Sequence, residues 1–86
     1  MKQPSEVTWS DGSAYVRYAD DAVPFAGMRD LEPSGSVAVD LGPAGEIIGI
    51  EIAFMDAAQL AIARQFAREN GLAFPRDLTG VLPTAR

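Results

Sequence analysis

Asp40 and Glu51 interrupt two of the most apolar stretches of the chain, both within VAVDLGPAGEIIGIEI at 37–52, and Arg17 does the same within SAYVRY at 13–18. Two carboxylates held side by side can be driven apart in pKa, so that one donates and the other accepts a proton. An adjacent guanidinium would hold an anionic group in a fixed geometry. On that reading Arg17, Asp40 and Glu51 would make a small-ligand site or a weak enzyme. The chain lacks the usual companions of such chemistry. It has no histidine, the commonest general base and metal ligand near neutral pH, and no cysteine, which removes disulfides, thiolate nucleophiles and Cys-based metal sites. With no nucleophile or phosphate-cradling loop beside the three residues, the simpler reading is a cross-strand ion pair flanking an interface, worth at most about 1 kcal/mol per exposed pair. No catalytic, cofactor-binding or metal-binding residue is assigned.

Other chemistry-bearing residues also have plain explanations. Asp11, Asp20 and Asp21 do not follow the spacing of a calcium-binding loop and read as solvated acids. Gly42, Gly45 and Gly49 form no dinucleotide fingerprint and do not open a helix. A glycine inside a strand weakens it, so Gly49 marks a point where something approaches the sheet closely. Arg64, Arg68 and Arg76 would suit a phosphate or an acidic partner, yet Arg64 and Arg68 lie near a helix C-terminus, where the macrodipole favours cations for local reasons. Trp9, the sole tryptophan, is either a core edge or an interface anchor.

The elements that position these residues follow from periodicity. VTWSDGSAYVRY at 7–18 reads as a β-hairpin closed by a three-residue loop, Ser10-Asp11-Gly12. Pro24, Gly27, Pro33 and Gly35 punctuate 19–35, which is expected to be mostly loop with room for a short strand at 28–31. Residues 36–52 form a second hairpin across Gly42-Pro43-Ala44-Gly45. A period near 3.6 then begins. Asp56 is the expected N-cap, Gln59 completes a capping box, and Met55 with Leu60 makes a hydrophobic staple. The helix spans 56–70 and ends at Gly71, with Leu72 folding back onto Phe66. Its apolar stripe is Leu60, Ala63, Phe66 and Ala67. The extended tail, 71–86, holds Leu78, Val81 and Leu82 and is expected to strap across a surface of its own subunit or a neighbour. The fold expected is α+β: a four-stranded antiparallel β-meander with one helix on one face, in a single domain.

Strand alternation sorts the side chains. Ala14, Val16, Tyr18, Val37, Val39, Leu41, Ile48, Ile50 and Ile52 face the helix. Tyr15, Arg17, Ala38, Asp40, Ile47, Gly49 and Glu51 face outward. That outer face is more apolar than a solvated face needs to be, and such patches commonly mark interaction surfaces. Tyr15, Arg17, Asp40, Ile47, Gly49 and Glu51 are therefore the interface candidates. An 86-residue chain buries a modest core. A homo-oligomer, a dimer before larger forms, or a complex with a protein partner would extend that core. The formal net charge of −5 argues against nucleic acid, and the absence of any long apolar run argues against a membrane span. A cytoplasmic location is expected.

WSDGSAYVRY at 9–18 and VAVDLGPAGEIIGIEI at 37–52 resemble a family of small bacterial proteins, domain-of-unknown-function family 2283. Asp40, Gly45, Gly49 and Glu51 fall together on its V-x-V-D-L-D-x-x-G-x-V-x-G-I-E-I pattern. Ala14 departs from a usual Leu, and Gly42-Pro43 stands where the family has an acidic pair, which weighs against a cation in that turn. The resemblance covers residues 7–55. It implies a small β-meander with a helix and supplies no catalytic residue. It also leaves room for an antitoxin-like role, pairing this acidic chain with a basic protein.

Overall fold

The structure is a computed structural model that describes residues 1–10, 12–54 and 56–75, with the side chains of Trp9 and Ser10 not described. The expected roles of Asp11, Met55, Arg76, Leu78, Val81 and Leu82, and of the Trp9 side chain, lie outside this part. Five strands precede one helix: β1 (Glu6–Ser10), β2 (Ser13–Arg17), β3 (Gly27–Asp30), β4 (Val37–Leu41), β5 (Ile47–Ile52) and α1 (Ala57–Glu69). They form one sheet in the order β1-β2-β5-β4-β3, antiparallel throughout. The class is α+β, as the residue pattern implies.

The details correct the four-stranded meander in two ways. Residues 19–35 contain a real strand, β3, although the segment is rich in turn formers. The order is also not sequential, because β2 pairs with β5, the last strand, while the chain between them runs to the far edge. Pairing with β5 lets the buried Val16 lie beside Ile50, and Ala14 beside Ile52. The polar β3, GMRD, could offer no such apolar row and sits at the edge. The first hairpin is also tighter than expected. Ser10 and Ser13 are register partners, so two residues connect the strands, and Gly12 takes φ +81°.

The second hairpin closes as its residues direct. The Gly45 amide donates to the Gly42 carbonyl and the Gly42 amide to Glu46, with Gly45 at φ +83° and Pro43 at the position its fixed φ suits. The helix is capped at both ends. Asp56 accepts from the Gln59 amide at 2.9 Å. At the other end Leu72 donates to Ala67 and Gly71, at φ +69°, to Arg68, which makes a Schellman motif. The capping box is only half made, because Gln59 Oε1 is buried without a partner.

Leu60, Ala63 and Ala67 press onto Val37, Val39, Ile50 and Ile52 of the two central strands. Each fully buried Ile or Val here contributes about 1.5–3 kcal/mol. Alanines on the helix permit the close approach. Residues 71–73, after the helix, strap back over their own subunit. Tyr18 Oη donates to the Ala73 carbonyl at 2.8 Å, and Lys2 and Leu72 form a short parallel bridge.

Candidate functional site

The helix covers one face of the sheet and leaves the other to the side chains that alternate outward. Strand register brings Tyr15 opposite Glu51, Glu51 opposite Ala38, and Arg17, Gly49, Asp40 and Met28 into a single row across β2, β5, β4 and β3. Tyr15, Asp40, Gly49 and Glu51 are thus assembled into one cluster, although 36 residues separate the first from the last in sequence.

Tyr15 organises this cluster. Its phenol crosses the bare backbone of Gly49 and donates to Asp40 Oδ2 at 3.0 Å. The close approach expected at Gly49 is therefore made by the chain's own tyrosine. A Cβ on Gly49 would lie 2.8 Å from the Val16 carbonyl oxygen and closer still to the phenol. Burial, the bond to Asp40 and the negative charge of Asp40 raise the Tyr15 phenol well above the ordinary tyrosine value. Arg17 opposes the shift and Glu51 adds to it. The Glu51 carboxyl is also raised above the usual carboxylate range, first by desolvation and then by its interaction with Asp40.

Two interface candidates depart from their expected roles. Arg17 lies on the outer face but turns away from the carboxylates. Its Nε donates to Ala19 O at 3.0 Å, its Nη2 to Asp20 O at 3.2 Å, and its only ion pair among the described residues is with Asp21 at 3.8 Å. The carboxylates consequently have no cation between them, and the expected ion pair is not formed. Ile47 lies on the helix side. The register between β4 and β5 slips after Asp40, so that Leu41 pairs with Ile47 and Ile48 becomes the extra residue. Ile47 then packs with Leu41 against the core cluster. Ile48 is buried outside that cluster, its carbonyl accepting from both Tyr18 and Ala19.

Met28, 57 % exposed on β3, adds an apolar rim that the loop expectation for 19–35 hid. An open groove of about 710 Å³ runs beside the cluster, bounded by Thr8, Tyr15, Ser36 and Glu51. The arginines of the helix lie elsewhere. Arg64 stacks over Phe74 at 5.6 Å, and Arg68 donates to Gln65. Among the described residues no group of acids is placed to hold a metal ion, and no helix is long and apolar enough to cross a membrane.

Comparison with protein-family models, with curated proteins and with solved structures finds no match.

Proposed function

We propose that this protein is a non-enzymatic interaction module whose outer sheet face docks a protein partner bearing basic side chains. The observation that carries the reading is the charge of that face. Glu6, Asp30, Asp40 and Glu51 point outward from four different strands, while Arg17, the cation among them, is engaged by residues 19–21. Like charges meeting across a two-fold axis would oppose self-association through this surface, whereas lysines or arginines of a partner would complement it. The groove beside Tyr15 offers room for an incoming side chain, and Met28 supplies apolar contact at the rim. The resemblance to family 2283, which brings no catalytic residue, is compatible with this role. An antitoxin-like pairing with a basic protein is one form it would take.

The test is a titration of the isotopically labelled protein with a synthetic peptide rich in arginine and lysine, followed by amide chemical shifts. Shifts concentrated at Tyr15, Ala38, Gly49 and Glu51 support the reading. Shifts confined to the helix, or none, overturn it. Light scattering across a concentration series runs alongside, since a constant dimer joined through this face would put a second copy in the place of the basic partner.

A further inference from the structure

The two oxygens of Asp40 stand in different circumstances. Oδ2 accepts the Tyr15 phenol, whereas Oδ1 is buried and has no hydrogen-bond partner among the described residues. A buried charged acceptor left unmet is costly, and native structures rarely tolerate one. The group available to meet it is Glu51, one strand away. Asp40 pairs with Gly49 and Ala38 with Glu51, which makes Asp40 and Glu51 diagonal neighbours on one face, within reach of long side chains. An ionised Glu51 could only repel Asp40; a protonated one is a donor.

We infer that Asp40 and Glu51 share one proton, Glu51 donating it to Asp40 Oδ1 while Tyr15 donates to Oδ2, and that its loss gives this pair on the docking face a second negative charge. The raised position of the Glu51 carboxyl and of the Tyr15 phenol agrees with this arrangement. The other charged groups on the face come from each neighbouring strand: Glu6 from β1, Arg17 from β2 and Asp30 from β3. Arg17 is the one that would favour ionisation, and its guanidinium is held by Ala19, Asp20 and Asp21. Glu51 is itself exposed, so its proton exchanges directly with water. The consequence rests on the docking role proposed above: a basic partner would bind more tightly as pH rises through the titration of Glu51.

The experiment follows the side-chain carboxyl signals of the 86-residue chain by carbon-13 NMR, from below the ordinary glutamate value of about 4.3 to well above it. In the unaltered protein Glu51 should titrate above that value, and the Tyr15 ring signals should move with the same midpoint. Asp40→Asn should lower the Glu51 midpoint, leaving only the part that desolvation contributes. Glu51→Gln, whose amide can still donate to Oδ1, should abolish the movement of Tyr15. A normal midpoint for Glu51 in the unaltered protein overturns the inference, as does a midpoint that Asp40→Asn leaves unchanged. The arginine- and lysine-rich peptide is then titrated on both sides of the midpoint. Tighter binding on the alkaline side, by about two- to fivefold for one exposed charge, supports the regulatory role. Equal binding on both sides removes it. Failure to bind at either pH removes the docking role while leaving the shared proton in place.

Discussion

Replacing Gly49 with alanine isolates the contact on which the outer face is built. Gly49 is not one of the glycines with positive φ, so alanine meets no backbone penalty there and any cost must arise from space. The added Cβ would stand 2.8 Å from the Val16 carbonyl oxygen, nearer than the 3.0 Å that real Cβ atoms respect, and would overlap the Tyr15 phenol. The phenol can swing aside only by giving up its bond to Asp40. A hydrogen bond to a charged group contributes about 1.5–3 kcal/mol, and this one, being part-buried, belongs toward the lower end. The Val16 carbonyl belongs to the adjacent strand and yields only if β2 and β5 shift, an overpacking cost of about 1–3 kcal/mol. Reduced unfolded-state entropy returns about 0.4–1 kcal/mol. The net loss is about 2–4 kcal/mol, a large share of the roughly 4–13 kcal/mol expected for a domain of this length. Urea denaturation followed by circular dichroism would measure it, and thermal melts should fall by about 8–30 °C. A cycle with Tyr15→Ala locates the cause. With the phenol gone, Gly49→Ala should cost markedly less, leaving only the Val16 contribution. A Gly49→Ala protein within about 0.5 kcal/mol of the original, or strict additivity in the cycle, would refute the argument.

Three further outcomes are expected. Ile47→Glu should destabilise the fold itself, by about 1–2 kcal/mol in lost burial, because Ile47 packs, partly buried, beside Leu41 on the helix side; an unchanged melting temperature would return Ile47 to the outer face. Tyr18→Phe should cost about 1 kcal/mol and speed hydrogen exchange around 71–73, since the hydroxyl holds the Ala73 carbonyl. In the unaltered protein the Tyr18 phenol, pushed up to about 12 by burial, should stay protonated past the usual value of about 10 in an ultraviolet titration. Because the folded pKa is the higher one, its contribution to stability is complete below about pH 10 and is lost as pH rises through about 12. Ordinary ionisation near pH 10 would contradict the burial of that hydroxyl.

Much of what depended on neighbours in the chain was legible from the residues alone, the length of the first hairpin loop and the second half of the capping box excepted. Asp56, Gly71 and Leu72 specify the two ends of the helix through hydrogen bonds that span five residues or fewer, and the observed caps use those groups. Gly45 with Pro43 specifies the second turn for the same reason, and strict alternation puts Asp40 and Glu51 on one face before any strand partner is known. What the chain alone did not decide concerns contacts between distant segments. Choosing β5 over β3 as the partner of β2 depends on which strand offers Val16 an apolar neighbour, and local periodicity holds no record of that choice. The slip after Asp40 moves Ile47 to the helix side, and a simple count by twos cannot register one extra residue. Arg17 turns to carbonyls of the loop that follows it, so the cation expected between the carboxylates is absent. The empty space at Gly49 announced that something would lie over the sheet. Only the pairing of β2 with β5 makes that something Tyr15, because this register sets the phenol over a residue with no side chain and within reach of Asp40.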